Sequence, residues 1–402
     1  MSLLEPTESQ LREVGSLKWT GIRTTNDQPV MGAWVAEMDF GTAPVVAERL
    51  KRGIDDGFLG YLPTWLEDAT AEALTRFQER RFGWEIKPEW VRVANSVLGA
   101  LEASITSLTR PGSAVIAPTP AYMPFLSIPK RLGREIIAVP SVHVPNFGGT
   151  EPTGDVGSWQ LDLEGIRAGL EAGAGMVILC NPWNPTGRRL TTTELSELHD
   201  VVSQYDAVVF SDEIHAPLVF GDPSSFVSYA SLGPSFAAHT ITAVAASKAW
   251  NIAGLPAAQV ILPDGPLRES WDRHCSYISR AAVPLGLLGA VTAYEEGDAW
   301  LTEVLSYLSG NLDLLDAALA GTAIDYTRPQ ATYLTWWGWE AYDLPGDPMS
   351  LLRDRARVGT NAGITLGSTY LQWARVNAAM PRTEWVRTLD AVNGLIATLP
   401  RR

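Results

Sequence analysis

The sequence predicts an α/β fold in which a large domain is built on a mostly parallel central sheet and a smaller α+β domain follows it. The first observation is that short apolar runs alternate with amphipathic segments, which is typical of parallel strands covered by helices on both faces. The second is a change of pattern after Trp300, where a long amphipathic helix replaces the alternation. The apolar runs are VRVA from Val91, AVIA from Ala114, EIIAV from Glu135, MVILC from Met176, AVVF from Ala207 and ITAVAA from Ile241.

One helix between two predicted strands is marked by its capping residues. In TTTELSELHDVVSQY, Thr191 and Glu194 have the spacing of a capping box, in which each side chain binds the backbone N–H of the other residue. The apolar residues that follow lie on one helical face, at Leu195, Leu198, Val201 and Val202. The pattern therefore predicts a helix that begins near Thr191.

The C-terminal part of the chain is predicted to form a domain of its own. Its long helix has apolar residues at helical spacing, which indicates core packing: Leu301, Val304, Leu305, Leu308, Leu312, Leu315 and Leu319. Two strand-like segments, ATYLTWWGWE and YLQWARVNAAM, come after it. We predict a large domain over residues 45–286, a small domain over 287–402, and a separate N-terminal segment over 1–44.

The composition limits the classes of protein that fit. The chain has 402 residues, of which 46% are hydrophobic, and this is enough for a sizeable core. Its net charge of -14 argues against a nucleic-acid partner, because such proteins usually carry basic patches. No apolar run approaches the roughly 18 residues of a membrane span, and the first residues lack the pattern of a secretion signal. We expect a cytoplasmic protein with no membrane partner.

Cysteine and histidine patterns favour neither a disulfide framework nor a metal site. The two cysteines, Cys180 and Cys275, do not lie in a paired metal-ligand spacing. None of the five histidines belongs to an H-x-x-x-H arrangement. We therefore expect no bound metal.

Polar residues follow three successive apolar runs. NPWNPTG, residues 181–187, comes after MVILC, while Asp212 and His215 end the segment AVVFSDEIH. Lys248, preceded by Ser247, follows ITAVAA. In parallel α/β sheets, ligands bind at the carboxyl ends of the strands, so an amide, a carboxylate and an amine are expected at one edge of the sheet.

These motifs resemble those of fold-type I enzymes that use pyridoxal 5′-phosphate (PLP). The resemblance covers nearly the whole chain through NPWNPTG, SDEIH and SKAWNIAGL. More narrowly the chain is similar to the MalY/PatB group of cystathionine β-lyases through SLKWT, AWVAEMDF, GYLPTW, PTPAYMPF and DEIHAPL. The resemblance implies an aspartate aminotransferase-like fold, with the N-terminal segment packed on the active site and the small domain.

The resemblance also implies roles for the residues around the cofactor ring. Lys248 is expected to form the Schiff base with PLP and then to act as general base, which suits a desolvated amine. Asp212 is expected to pair with the pyridine nitrogen, Asn184 to bind the ring hydroxyl, and Tyr122 to stack on the ring. His215 is expected to be a neighbour of the ring.

Phosphate, substrate and partner contacts are implied in the same way. The phosphate is expected at the backbone N–H groups of Val97 and Leu98, where a helix begins, with the hydroxyl of Ser247 nearby. Tyr61 resembles the tyrosine that reaches the phosphate from a neighbouring subunit, which implies a homodimer. Arg375 lies in the segment that binds the substrate α-carboxylate, for which a guanidinium is suited.

Some positions depart from the pattern of the group. Trp183 replaces the usual histidine, Glu37 and Thr20 replace aspartates, and Ser96 replaces a glycine. Gly99 stands where proline is frequent, and the segment before Arg375 lacks the FGxGG run. Many aminotransferases of this fold have an arginine eight residues after the lysine, whereas this chain has Pro256, which favours the lyase group. These departures leave open which substrate the enzyme accepts.

The leading hypothesis is a PLP-dependent carbon–sulfur β-lyase. It would convert L-cystathionine, L-cystine or another S-substituted cysteine to a thiol, pyruvate and ammonia. The first alternative is an aminotransferase, which would use the same residues. The others are a specialised biosynthetic PLP enzyme, suggested by Trp336, Trp337 and Trp339, and a non-catalytic PLP-binding regulator.

Overall fold

The fold is described from a computed structural model, in which residues 5–149 and 158–402 are described. The chain begins with α1 (Glu8–Glu13), α2 (Leu17–Thr20), β1 (Met31–Gly32), α3 (Pro44–Asp55) and α4 (Thr64–Phe82). The part that forms the large sheet and its covering helices contains β2 (Val91–Ala94), α5 (Val97–Ser107), β3 (Val115–Thr119), α6 (Met123–Arg131), β4 (Ile136–Pro140), β5 (Val142–His143), β6 (Trp159–Gln160), α7 (Leu163–Glu171), β7 (Met176–Cys180), α8 (Thr192–Val202), β8 (Val208–Asp212), α9 (Pro234–Ala237), β9 (Thr240–Val244), β10 (Ala258–Ile261) and α10 (Pro266–His274).

The C-terminal part is richer in helix at its start and in short strands later. It contains α11 (Pro284–Glu296), α12 (Asp298–Leu319), β11 (Asp325–Tyr326), β12 (Leu334–Gly338), α13 (Pro348–Leu351), β13 (Val358–Gly359), β14 (Asn361–Ala362), β15 (Trp373–Asn377) and α14 (Arg382–Ile396). A four-stranded antiparallel sheet with the order β11-β12-β15-β14 forms its centre. α12 and α14 pack against each other and supply much of the core beside this sheet.

The large sheet has seven strands in the order β2-β10-β9-β8-β7-β3-β4. The pairs from β9 to β4 are all parallel, which agrees with the predicted α/β class. β10 was not among the predicted strands, and it runs antiparallel to both β2 and β9. The six predicted runs are all strands of this sheet, and β10 enters it between the first and the last of them.

The predicted capping box is present at the start of α8. The backbone N–H of Glu194 donates to Thr191 Oγ1 at 3.2 Å, and the N–H of Thr191 donates to Glu194 Oε2 at 2.9 Å. Leu195, Leu198 and Val202 on its inner face are fully buried against the sheet. The prediction of this helix is confirmed because local capping and burial agree.

The N-terminal segment crosses from one part of the molecule to the other. β1 pairs with β13 in parallel, so that Met31 lies opposite Val358. The residues after β1 then run past the ends of the large sheet before α3 begins. α11 packs against both α3 and α4. The division at residues 44, 286 and 287 stays a prediction.

In the described ranges, residues 5–149 and 158–402, no helix combines the length and apolarity that crossing a membrane requires.

Candidate active site

A cavity of about 230 Å³ lies where β7, β8 and β9 end. The sheet register explains this convergence, because Cys180 at the end of β7 is the partner of Asp212, and Asp212 is the partner of Ala243 in β9. Residues that are far apart in the sequence therefore line the same cavity. The lining includes Ala36, Ser96, Val97, Leu98, Tyr122, Cys180, Asn184, Asp212, Ile214, His215, Ser247, Lys248 and Pro256.

Lys248 places its amine against the N-terminal segment. Its Nζ donates to the carbonyl oxygen of Ala36 at 2.8 Å. Burial lowers the pKa of the Lys248 amine to about 8, and the charge of Arg375 acts in the same direction, whereas Asp212 and Glu37 act against it. A lysine with a lowered pKa has a larger fraction of the neutral amine at neutral pH, which is the nucleophilic form.

Asp212 is buried at the end of β8, with only 4% of its surface exposed. Its Oδ1 accepts from the backbone N–H of Ile214 at 3.0 Å. Burial raises the pKa of the Asp212 carboxyl to about 6, although the N–H of Ile214 and the charge of Lys248 favour its ionised form. A carboxylate in such a position is stabilised by a neighbouring cation.

His215 is buried beside the same cavity, and its Nδ1 has no hydrogen-bond partner among the described residues. Burial lowers the pKa of the His215 imidazole to about 3, and the charges of Lys248 and Arg375 lower it further. His215 is therefore neutral at physiological pH. A neutral ring with an unpaired nitrogen suits a ligand that supplies the missing donor or acceptor.

The start of α5 forms another wall of the cavity. The hydroxyl of Ser96 accepts from the backbone N–H of Gly99 at 2.9 Å and caps the helix. The first N–H groups of a helix have no acceptor within the helix, and they favour anions. Val97 and Leu98 are the first two helical residues, and Ser247 adds a hydroxyl to the same cavity.

Arg375 lies behind this cavity on β15 and is buried. Its Nη1 donates to Asn184 Oδ1 at 3.1 Å, while its Nη2 donates to the carbonyl of Trp34 at 3.1 Å and to Asn361 Oδ1 at 2.7 Å. All three acceptors are neutral, and Nε has no partner among the described residues. Burial lowers the pKa of the Arg375 guanidinium to about 10. The charge is thus available to an anionic ligand.

The two tyrosines that the resemblance singled out lie in different places. Tyr122 borders the cavity and packs edge-on against Phe125, with ring centroids 5.5 Å apart. Tyr61 lies on the loop before α4, is 100% exposed and does not line the cavity of its own chain.

Sequence reasoning missed three residues at the site. Asn361 holds Arg375, Ala36 accepts from Lys248, and the hydroxyl of Tyr333 donates to the same Ala36 carbonyl at 3.0 Å. The sequence pattern indicates only that Tyr333 belongs to a strand-like segment, since nothing local distinguishes it from a core tyrosine. Ala36 acts through its backbone, for which the sequence carries no signal.

The residues present fit PLP. An amine with a lowered pKa suits the aldehyde, a buried carboxylate suits the ring nitrogen, and a helix start with two serine hydroxyls suits the phosphate. The unpaired nitrogens of His215 and Arg375 are further groups that a ligand could satisfy. These residues could therefore bind both the aldehyde-bearing ring and the phosphate of PLP.

Comparisons with known proteins agree with this chemistry. The family model for aminotransferase class I and II matches residues 30–392, and the chain belongs to that family. The chain is 35% identical to cystathionine beta-lyase of Corynebacterium glutamicum over 94% of this chain and 95% of that protein. It is 31% identical to cystathionine beta-lyase PatB of Bacillus subtilis, over 77% of this chain and 78% of that protein.

A solved structure gives the same result for the fold. The crystal structure of a candidate PLP-dependent β-cystathionase from Corynebacterium diphtheriae is 32% identical, with a TM-score of 0.87 over 98% of this chain and 99% of that one. The predicted fold and family are confirmed. The protein is a PLP-dependent enzyme, and its relatives support carbon–sulfur β-lyase activity.

Proposed function

We propose that the enzyme cleaves L-cystathionine or a related S-substituted cysteine to a thiol, pyruvate and ammonia. The observation that carries this proposal is that Lys248 and Asp212 line one cavity at the end of the sheet, while Arg375 lies behind it and donates to Asn184 in its lining. The names of the relatives supply the substrate class. Pro256, which lines the cavity where many aminotransferases have an arginine, favours the lyase outcome.

The proposed roles follow from the charges and hydrogen bonds of the chain. Bound PLP draws electron density from the substrate α-carbon, which makes its proton easier to remove. Lys248 would bind the cofactor and, once released, accept that proton at Nζ. Asp212 would stay anionic next to a protonated ring nitrogen. Arg375 would orient the substrate by pairing with its α-carboxylate.

Other side chains would position these groups. Asn184 would bind the ring hydroxyl while its Oδ1 accepts from Arg375, which links the cofactor to the carboxylate site. Tyr122 and His215 would contact the ring. The backbone of Val97 and Leu98 and the hydroxyl of Ser247 would hold the phosphate.

The enzyme is further proposed to be a homodimer in the cytoplasm. Complete exposure of Tyr61 supports a role at the site of a second copy. Leu59 and Trp65, on either side of it, are also largely exposed, as expected for residues that another subunit covers. Cell fractionation with an activity assay tests the location.

The proposal is tested by adding L-cystathionine to the purified protein and measuring pyruvate and free thiol. We expect both products in equal amounts from the wild type and neither from Lys248→Ala. Lys130→Ala, which removes an exposed lysine, serves as the matched control and should behave like the wild type. Turnover that depends on an added keto acid, without thiol release, would assign the aminotransferase activity instead.

A further inference from the structure

The amine of Lys248 and the hydroxyl of Tyr333 meet at one oxygen atom. Lys248 Nζ lies 2.8 Å from the carbonyl oxygen of Ala36, and Tyr333 Oη lies 3.0 Å from the same oxygen. A backbone carbonyl has two lone pairs, so both of its acceptor sites are used. The two side chains come from residues 85 positions apart, and both donate to this carbonyl.

The Ala36 carbonyl is fixed from both sides. Asn377 Nδ2 donates to the carbonyls of Val35 and Glu37, at 2.5 and 2.7 Å, so one side chain spans the peptide that carries Ala36. Asn251 holds the next part of the segment, because its side chain binds both the N–H and the carbonyl of Met38, at 2.9 and 2.8 Å. The segment cannot rotate this carbonyl without breaking several of these bonds.

Tyr333 is itself held in a single position. Its side chain is buried, and its ring packs edge-on near His215, with centroids 6.3 Å apart. Burial raises the pKa of the Tyr333 hydroxyl above its ordinary value. The hydroxyl therefore remains protonated at physiological pH and acts on the carbonyl as a hydrogen-bond donor.

The geometry points to the Ala36 carbonyl as the resting position of the Lys248 amine whenever that amine is not covalently bonded, and to Tyr333 as the positioning residue for this carbonyl. The inference rests on the role proposed above for Lys248. When Lys248 takes the α-proton, an N–H bond forms at Nζ and the C–H bond of the substrate breaks, with its electron pair left on the substrate. The ammonium then donates one of its three protons to Ala36.

Tyr333 also limits how strongly the ammonium is held. A carbonyl that already accepts from Tyr333 is a weaker acceptor for a second donor. It therefore stabilises the ammonium form of Lys248 less, and the neutral amine is easier to reach. Removal of the hydroxyl would strengthen the hydrogen bond from the ammonium to the Ala36 carbonyl, which favours the charged form of the amine. The other titratable or charged groups around the amine are Asp212, His215, Arg375, Glu37, Tyr122 and Cys180.

The test is Tyr333→Phe, which keeps the ring and removes only the hydroxyl. We expect the acid limb of the kcat profile to move upward by about 0.5 to 1 pH unit, the shift that corresponds to one hydrogen bond. KM and the affinity for PLP should change little, since the Tyr333 hydroxyl donates to Ala36, and the hydrogen bonds of Arg375 go to Asn184, Trp34 and Asn361 instead. The matched control is Tyr294→Phe, which removes another buried hydroxyl, bonded to Gln259 Oε1 at 2.8 Å.

A second measurement observes the amine without catalysis. The chain has five lysines, at positions 18, 51, 87, 130 and 248, so ¹³Cε-labelled lysine gives few signals and Lys248→Ala assigns the relevant one. In the full chain freed of PLP, the Lys248 signal should titrate at higher pH in Tyr333→Phe than in the wild type or in Tyr294→Phe.

Coincident titrations and coincident kcat profiles in wild type and Tyr333→Phe would overturn the inference. An equal shift in Tyr294→Phe would overturn it too, because the effect would then be general loosening of the core. Pyruvate release by Lys248→Ala would instead contradict the proposed function, so the two failures are distinguishable.

Discussion

Lys18 and Asp39 form an ion pair whose side chains are both buried, with Lys18 Nζ 2.9 Å from Asp39 Oδ2. Lys18 also donates to the carbonyl of Ala379 at 2.9 Å, and Trp19 Nε1 donates to Asp39 Oδ1 at 3.0 Å. Burial lowers the pKa of the Lys18 amine and raises that of the Asp39 carboxyl. Asp39 lies three residues beyond Ala36, and the bond from Lys18 to Ala379 ties the N-terminal segment to the C-terminal part.

Lys18→Met should destabilise the protein by about 3 to 5 kcal/mol, because it leaves the Asp39 carboxylate buried without its partner. Urea denaturation followed by tryptophan fluorescence measures the loss. Arg52→Ala is the control: Arg52 is paired with Asp56 at 3.6 Å on the surface, and its removal should change the free energy of unfolding by no more than about 1 kcal/mol. Equal losses in the two variants would contradict the structural importance of the buried pair.

Glu213 should make the stability of the fold fall with rising pH. Burial raises the pKa of its carboxyl from 4.5 to about 8, although Ser211, Ser228 and the N–H of Tyr229 donate to it. Between these values the folded state binds more protons than the unfolded state, so the free energy of unfolding decreases as pH rises. Glu213→Gln cannot titrate and should remove this dependence.

Urea denaturation at pH 5 to 8 compares the two proteins. The stability of the wild type relative to Glu213→Gln should drop by at most about 1.4 kcal/mol per pH unit across this window. Glu164→Gln, which changes an exposed glutamate in the first turn of α7, should leave the pH dependence unaltered. A constant difference between wild type and Glu213→Gln would show that Glu213 titrates at its ordinary pKa.

Arg375→Lys should lower kcat/KM by about 10- to 100-fold, mainly through KM, because an ammonium cannot form two parallel hydrogen bonds with a carboxylate. Steady-state kinetics with an S-substituted cysteine measures this loss. The methyl ester of the same substrate lacks the carboxylate charge, so its turnover should be much less sensitive to the substitution. Equal sensitivity of acid and ester would contradict a carboxylate contact.

Tyr61 is predicted to serve the site of the partner subunit, which subunit mixing can test. Tyr61→Ala and Lys248→Ala should each be nearly inactive alone. Mixed in equal amounts after exchange of subunits, they should regain about a quarter of wild-type activity, since half of the dimers are hybrids with one intact site of two. Failure of the mixture to regain activity, with exchange verified by mass spectrometry, would place Tyr61 at its own site or at none.

The sequence could predict the local features of the fold. The helix at α8 follows from the Thr191 and Glu194 capping pair, and six strands of the large sheet follow from apolar runs. It could not predict β10, whose four residues include the polar Gln259. Gln259 is buried because Tyr294, on a helix 35 residues later, binds its side chain, and such pairing has no local signature.

For the site, the sequence by itself determined which chemical groups follow the strands, because motifs such as NPWNPTG and SDEIH are contiguous. That Lys248, Asp212 and Asn184 line one cavity depends on the register of parallel strands, which the sequence pattern predicts only in outline. Only the tertiary structure decided that Tyr333 and Lys248 share the Ala36 carbonyl. The physical reason is that this contact joins a backbone atom to side chains more than 200 residues away, and no periodicity along the chain encodes such a contact.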